Sequence, residues 1–168
     1  MRIRGKRVYH GVLDIPADVS GSYEIRYLLY PAGEVLPFSS ARTRIFGGDR
    51  LGSVKYSSPT RWHQLLEDNR VWMSDLPIEQ EQFDKAVRFV QAGRVLIGGL
   101  GLGYAAAVLA SRPRVTEVVI VEISPDVCKL VVPSLLAHHP QARAKCRIIT
   151  EDLFEYLKQT DDRFDHAF

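Results

Sequence analysis

The pattern of hydrophobic and polar positions changes near residue 60. Before that point, β-branched and aromatic residues alternate with polar ones over residues 8–15 and 23–30, with the two-residue period of strands that have one exposed face. Pro31-Ala32-Gly33 and Gly47-Gly48-Asp49 follow as turn sequences. We therefore predict a small β-rich lobe over residues 1–60.

The next stretch shows a period closer to that of helices. Phe83, Val87 and Val90 lie at steps of four and three, which places an apolar stripe along one helix face. Pro77 suits the first turn of that helix and Gly93 its end. The predicted elements are a short helix over residues 61–68, a strand over 70–73 and a longer helix over 78–91.

Beyond Gly93, apolar strands alternate with helices, which indicates a parallel sheet with crossover helices. Residues 118–121 are apolar at every position, as expected of a strand covered on both faces. Pro133 is predicted to interrupt the helix that begins at Ser124, or to end it and start another. The predicted strands are residues 95–97, 117–121, 147–150 and a last one beginning near Phe164.

We therefore predict an α/β fold: a Rossmann-like parallel sheet with flanking helices over residues 61–168, preceded by the β-rich lobe. The chain stops inside the fourth strand, so the domain is expected to be incomplete at its C-terminus. Residues beyond Phe168, or another copy of the chain in a homo-oligomer, would then complete the sheet and cover its apolar edge.

A glycine-rich loop follows the first strand of this sheet. Gly99, Gly101 and Gly103 stand between an apolar strand and an alanine-rich helix, where glycines permit unusual backbone angles and let a ligand lie against the main chain. Glu122 ends the next strand, nineteen residues after Gly103. A carboxylate there can accept hydrogen bonds from both hydroxyls of a ribose, so this pattern predicts a nucleoside site. A tight turn without a ligand and an acid that only favours the following helix remain alternatives.

The third strand ends at the same edge of the predicted sheet. Asp152 follows it and is placed to accept a hydrogen bond from an adenine amino group, and the Leu153 N–H is placed to donate to an adenine ring nitrogen. The run from Asp152 to Glu155 also has the form of a capping box. Capping and adenine binding are compatible, so both roles stay open.

Residues 93–168 resemble the first half of a class I S-adenosylmethionine-dependent methyltransferase, and most closely its spermidine-synthase-like branch. The resemblance rests on Gly99-Leu100-Gly101-Leu102-Gly103, the strand-terminal Glu122, Thr150-Glu151-Asp152 and the run from Phe164 to Phe168. It implies that the three glycines line the methionine and ribose part of the donor, Glu122 holds the ribose and Asp152 the adenine. Ile97 departs from the pattern, because many members carry an acid there.

The resemblance implies a transferase with a small-molecule acceptor. The expected reaction is methyl transfer from S-adenosylmethionine, and the alternative is aminopropyl transfer from its decarboxylated form to a polyamine. Asp75 would then lie near the acceptor pocket, and Trp72 is a second candidate for the pocket border. No catalytic residue is assigned, because its usual place lies beyond Phe168.

Two other classes of function remain open. An NAD-dependent oxidoreductase also uses a glycine loop and a strand-end acid. The dinucleotide-binding pattern G-x-G-x-x-G/A does not fit if it starts at Gly99, because Tyr104 stands at its last position. If it starts at Gly101, its last position is Ala106, which the pattern allows. A nucleotide-binding module without catalysis is the third class.

Composition and charge limit the classes of partner that we expect. The chain has 168 residues, 46% hydrophobic and 25% charged, which is typical of a globular domain. It shows no apolar run long enough to span a membrane and no secretory leader, so we expect a cytoplasmic protein. Residues 1–62 hold 10 basic and 5 acidic residues, against 12 and 15 in residues 63–168; this asymmetry suits an acidic partner or a solvated face, and nucleic acid is not the expected partner.

The cysteine and histidine residues are not spaced along the sequence as metal ligands usually are. Cys128 and Cys146 do not have the spacing of a zinc site, and we predict that both are reduced and buried. His138 and His139 are predicted to lie at an exposed helix end. No metal is expected.

Overall fold

The computed structural model describes residues 2–3, 6–7, 13–37 and 53–168. The strands are β1 (Arg2–Ile3), β2 (Lys6–Arg7), β3 (Asp18–Ser20), β4 (Tyr23–Tyr30), β5 (Val35–Pro37), β6 (Ser53–Lys55), β7 (Thr60–Glu67), β8 (Arg70–Ser74), β9 (Ala92–Gly98), β10 (Arg114–Glu122), β11 (Cys146–Thr150) and β12 (His166–Ala167). The helices are α1 (Pro77–Val87), α2 (Tyr104–Ala110), α3 (Pro125–His138), α4 (Pro140–Lys145) and α5 (Leu153–Gln159). In this part of the chain, no helix is both long and apolar enough to cross a membrane.

An antiparallel sheet with the strand order β3-β4-β7-β8 is built around the long β4–β7 pair. Asp68 and Asn69 have positive φ angles of 47° and 62°, and they form the two-residue loop between β7 and β8. Two consecutive residues with left-handed backbone suit a tight hairpin. The predicted helix over residues 61–68 is therefore wrong: the segment is a strand, because the turn and the pairing with β4 outweigh its local helical pattern. The sheet continues to Ser74, past the division expected at residue 60.

A β-bulge interrupts the pairing of β7 with β8. Leu65 pairs with Met73, but Leu66 pairs with Val71, so Trp72 is the extra residue. A bulge breaks the regular alternation of side chains and redirects one of them. Trp72 and Met73 can consequently face the same side of this edge strand.

The second large sheet is parallel, with the strand order β11-β10-β9-β12. The chain moves outward from β9 through β10 to β11 and then crosses back to place β12 on the other side of β9. Ligands bind α/β sheets at the crevice where the strand order reverses in this way. The α/β, Rossmann-like prediction is confirmed, and the crevice lies at the end of β9.

Both faces of the parallel sheet are covered. Val118 and Ile120 of β10 pack in the larger core with α2, α3 and α4, whereas Val119 and Val121 pack on the other face with Tyr156 of α5. All four valine and isoleucine side chains are fully buried or nearly so. Each such side chain contributes about 1.5–3 kcal/mol relative to full exposure, so this central strand anchors the site at its end.

Helix α3 begins where the sequence predicts, because the Ser124 hydroxyl accepts the Val127 N–H at 3.2 Å. The predicted interruption at Pro133 is wrong, since the helix continues to His138. Pro133 lies on the exposed face, while Val131 and Leu135 hold the opposite face in the core. Because proline has no N–H, the carbonyl of Lys129, four residues earlier, has no helical partner, but on the exposed face it can bind water.

The antiparallel sheet is hydrogen-bonded directly to helix α3. The Ser20 hydroxyl at the end of β3 donates to the Asp126 carboxylate in the first turn of α3, at 2.7 Å. The antiparallel sheet therefore reaches the helix that follows Glu122.

Some predictions fall outside the described residues: most of the strand over residues 8–15 and the turn at Gly47-Gly48-Asp49. Residues 13–15 are described and are not in a strand. The thiols of Cys128 and Cys146 are free, as predicted, but half-buried and not fully buried. Burial raises the pKa of Cys146 to about 11.

Candidate functional site

The carboxyl ends of β9, β10 and β11 meet at one edge of the parallel sheet. The glycine loop follows β9, Glu122 ends β10, and Asp152 follows β11. The fold thus brings to one edge the residues that the sequence singled out.

The Glu122 side chain is turned toward the glycine loop. Its Oε2 accepts the Leu100 N–H at 2.7 Å, and its Oε1 accepts the Ser124 N–H at 2.9 Å. The residue is only 7% exposed, and Oε2 lies 4.0 Å from the position of a Cβ built on Gly99. Each carboxylate oxygen can accept more than one hydrogen bond, so Glu122 can orient the loop and still accept from a ligand.

The glycine loop has the backbone that its sequence suggests. Gly99, Gly101 and Gly103 have φ angles of +93°, +53° and +74°. Several of the loop's N–H groups are already bonded within the chain: Gly99 donates to Val121, Leu100 to Glu122 and Gly103 to Leu100. These internal bonds leave fewer donors for an anion than an open phosphate-binding loop offers.

Met73 reaches the same loop from the edge strand β8. Its Sδ accepts the Leu102 N–H at 3.3 Å, and a Cβ on Gly101 would lie 2.3 Å from that sulfur. The positive φ favours glycine at 101, and a Cβ there would displace the end of the Met73 side chain. Sequence reasoning missed Met73, because its approach depends on a bulge and on long-range packing that no local pattern indicates.

Asp152 caps the helix that follows it. Its Oδ1 accepts the N–H groups of Phe154 at 2.8 Å and Glu155 at 3.1 Å, which is the capping alternative that the sequence left open. The Leu153 side chain lies over the end of β9, where a Cβ on Gly98 would come within 2.6 Å of it. The adenine contacts predicted for Asp152 and Leu153 stay predictions.

Two adjoining clefts open beside the loop. The first has a volume of about 250 Å³ and is bounded by the backbone from Gly98 to Gly101, with Phe83 and Tyr104 among its walls. The second, of about 450 Å³, extends along β8 and α1. The two clefts share four lining residues: Trp72, Met73, Phe83 and Ala86.

The predicted pocket residues behave differently from one another. Trp72 is 58% exposed and lines both clefts. Asp75 lines neither: it is 6% exposed, its Oδ1 accepts the His63 N–H at 2.6 Å, and its Oδ2 lies 2.7 Å from His63 Nδ1. The Gln80 amide donates to the Asp75 carbonyl at 2.8 Å. Asp75 is therefore part of a buried polar pair, in which His63 Nε2 has no hydrogen-bond partner among the described residues.

Within the described ranges, no group of three or more His, Cys, Asp or Glu residues is arranged to hold a metal ion. His138 is exposed at the end of α3.

No protein-family model matches the chain, and no curated protein is similar to it in sequence. Solved structures with a similar arrangement include a conserved hypothetical protein of Streptococcus pyogenes, at 20% identity and a TM-score of 0.43 over 52% of this chain and 53% of that one. A dimethyladenosine transferase from Plasmodium falciparum matches at 18% identity and a TM-score of 0.41, over 55% of this chain and 30% of that one. A protein-L-isoaspartate O-methyltransferase matches at 18% identity and 0.41, over 81% and 34%. The chain spans about a third to a half of the length of these proteins.

Proposed function

We propose that the chain forms the donor-binding part of an S-adenosylmethionine-dependent methyltransferase. The observation that carries the proposal is the Glu122 carboxylate, turned into the glycine loop at the point where the strand order of the parallel sheet reverses. Such an acid suits the two hydroxyls of a ribose. The likeness to solved structures adds nothing to this argument beyond the fold.

The residues at this edge fit a nucleoside without phosphate groups. Two exposed apolar side chains lie near the acids: Ile123 follows Glu122 and is 64% exposed, and Phe154 lies two residues after Asp152 and is 71% exposed. They offer surfaces against which a purine ring can pack. The Leu153 and Met73 side chains lie close to Gly98 and Gly101, so a ligand in the loop would contact these two flexible side chains.

The internal bonds of the loop disfavour NAD. A dinucleotide needs backbone N–H groups at the loop for its pyrophosphate, but Gly99, Leu100 and Gly103 already donate within the chain. An adenosine linked to an amino acid needs one carboxylate for its sugar and no pyrophosphate cradle. Glu122 suits the ribose of either ligand, so it is the internally bonded loop that supports the methyltransferase over the oxidoreductase.

The protein's part in the reaction is chiefly to hold two molecules in position. When bound, the donor supplies a methyl group on a positively charged sulfur; the acceptor's lone pair bonds to the methyl carbon, the C–S electron pair stays on sulfur, and the acceptor's proton leaves to solvent. Glu122 orients the ribose, the glycines let the donor lie against the main chain, and Met73 and Phe83 wall the cleft beside the loop. No residue is assigned as a catalytic base.

The aminopropyl alternative finds no support at the acceptor side. It needs carboxylates to hold a charged amine, and Asp75, the acid that the sequence suggested, is buried against His63. A small-molecule acceptor and a cytoplasmic location remain part of the proposal.

Isothermal titration calorimetry with S-adenosylhomocysteine and with NADH tests the proposed function. We expect S-adenosylhomocysteine to bind and NADH not to bind. Binding of NADH alone would favour the oxidoreductase, and binding of neither would favour a module without this activity.

A further inference from the structure

The larger cleft lies next to the donor site and has the size of a small-molecule pocket. It has a volume of about 450 Å³, within the range of roughly 300–1,000 Å³ found for ligand pockets. Because Met73 and Phe83 line both clefts, a molecule in the larger cleft would adjoin whatever lies against Gly99 and Gly101. Under the proposed function, an acceptor would have to lie in such a position.

Four of the six residues that line the larger cleft are aromatic or apolar, and the other two are Glu79 and Gln82. Trp72 and Phe83 contribute rings, Met73 a thioether and Ala86 a methyl group. Rings pack on other rings with favourable edge and offset geometries, and methionine sulfur makes favourable contacts with rings. The surface therefore suits a flat aromatic molecule better than a flexible charged chain.

The bulge in β8 builds this surface. In a regular strand, Trp72 and Met73 would face opposite sides of the sheet. Because Trp72 is the extra residue in the pairing with β7, both side chains line the same cleft. Bulges that redirect a side chain occur often beside binding sites.

The acids near the cleft form hydrogen bonds with other residues of the protein. The Glu79 carboxylate accepts both the Ser74 N–H at 3.1 Å and the Ser74 hydroxyl at 2.8 Å. Asp84 accepts the Tyr104 hydroxyl at 3.0 Å, and Asp75 is buried. Glu79 is the one acid among the described residues that line the cleft, and its carboxylate is bonded to Ser74. The same lining includes no lysine or arginine for an anion.

We infer that the larger cleft binds a neutral planar aromatic compound, which is the methyl acceptor; its role as acceptor rests on the proposed function. The ring lies between Trp72 and Phe83, and its nucleophilic oxygen or nitrogen points past Met73 toward the glycine loop. The recognition is by ring packing, without an ion pair.

Calorimetry with three probes tests this inference: 2-naphthol, its saturated analogue decahydro-2-naphthol, and spermidine. We expect 2-naphthol to bind roughly five- to ten-fold more tightly than the saturated analogue, and spermidine not to bind. Fluorescence gives a second readout, because the chain has two tryptophans and Trp62 is fully buried whereas Trp72 is 58% exposed. Bound 2-naphthol should change the emission of Trp72.

Variants locate the binding. Trp72→Leu and Phe83→Leu keep apolar side chains but remove a ring, and each should weaken 2-naphthol at least about five-fold. The matched control is Phe89→Leu, because Phe89 is 70% exposed just beyond α1 and lines neither cleft. Circular dichroism checks that each variant is folded, and the Phe89 variant should bind as the wild type does.

The outcomes separate this inference from the proposed function. Binding of S-adenosylhomocysteine without ring-dependent binding of 2-naphthol overturns the aromatic acceptor alone. Binding of 2-naphthol without S-adenosylhomocysteine overturns the methyltransferase, and with it the acceptor role. Tighter binding of spermidine than of 2-naphthol, or equal effects of the Phe83 and Phe89 variants, overturns the aromatic site itself.

Discussion

The Oε2 atom of Glu122 lies 2.7 Å from the backbone nitrogen of Leu100, so the acid that ends β10 is bonded to the loop that follows β9. This one carboxylate thus connects the two strand ends between which we place a ribose. Its structural role and its proposed binding role make different predictions for a single substitution.

Glu122→Gln should affect both stability and binding. The amide places an NH₂ group opposite one of the two backbone donors, Leu100 or Ser124, so one buried hydrogen bond is lost. We expect the free energy of unfolding to fall by about 1–3 kcal/mol and the affinity for S-adenosylhomocysteine to fall about ten-fold. Urea unfolding and calorimetry measure the two effects. The control is Glu151→Gln at the same edge; lost stability with unchanged affinity would remove Glu122 from the ribose site.

Two substitutions at Asp152 distinguish helix capping from adenine binding. Asp152→Ser keeps a side-chain oxygen that can cap α5 but is too short to reach a ligand, whereas Asp152→Ala removes both functions. We expect the alanine variant to lose about 1 kcal/mol of stability and the serine variant much less. Both should bind S-adenosylhomocysteine more weakly if Asp152 contacts the adenine. Full affinity in the serine variant would leave capping as its whole role.

Met73 should move when the loop is occupied. The chain contains two methionines, Met1 and Met73, so a spectrum of protein labelled with ¹³C at the methionine methyl groups contains two signals. Met73→Leu assigns them. Because the Met73 sulfur accepts the Leu102 N–H against Gly101, S-adenosylhomocysteine should shift the Met73 signal. An unshifted Met73 signal at saturation would place the ligand away from the loop.

Asp75→Asn should destabilise the fold without altering ligand binding. The Asp75 carboxylate accepts the His63 N–H and pairs with the His63 ring in a buried setting, so the loss is expected to be about 1–3 kcal/mol in the free energy of unfolding. Binding of 2-naphthol by the folded protein should stay as in the wild type. Weaker binding, measured under conditions where circular dichroism shows the variant folded, would return Asp75 to the acceptor pocket.

The amino ends of the parallel strands are joined by a charge network with a defined pH dependence. The Arg94 guanidinium, followed by that of Arg147 and the Tyr156 hydroxyl, holds the pKa of the Asp162 carboxyl well below its usual range. A lowered pKa in the folded state stabilises the protein above the unfolded value of about 4, and this contribution is lost as the pH falls below it. Arg94 also bonds Glu117 at 2.7 Å.

Asp162→Asn should therefore be less stable than the wild type at pH 7, and the difference should shrink as the pH falls below about 4. The effect is expected to be small and to weaken in high salt, because the groups are solvent-accessible. Chemical unfolding at several pH values measures it, with Asp161→Asn as the neighbouring control. A difference that grows at low pH would contradict the assignment.

The sequence was most informative where local pattern and fold agree. A short stretch of sequence is enough to recognise the apolar run of β10, the glycines after β9 and the acid at residue 122. The parallel order of the strands follows from their alternation with helices. These features were sufficient to predict that the glycine loop, Glu122 and Asp152 meet at one edge of the sheet.

The acceptor side could not be predicted in this way. Strand β7 has a locally helical pattern, and only its pairing with β4 and the left-handed turn at Asp68-Asn69 make it a strand. The contact of Met73 with the loop and the pairing of Asp75 with His63 join residues that are 29 and 12 positions apart, and the bulge at Trp72 depends on the register between β7 and β8. Such contacts depend on tertiary packing, which propensity does not encode.

The bond between Ser20 and Asp126 connects the antiparallel sheet to the first turn of α3. Gly21, with a φ of +57°, brings the β3–β4 turn so close to the Asp126 carboxylate that an added Cβ would lie 2.3 Å from it. Asp126 stands four residues after Glu122, so opening this hairpin would release the start of α3 beside the site. Amide hydrogen exchange should therefore show the β3–β4 hairpin and the last residues of β10 opening together, as one cooperative unit.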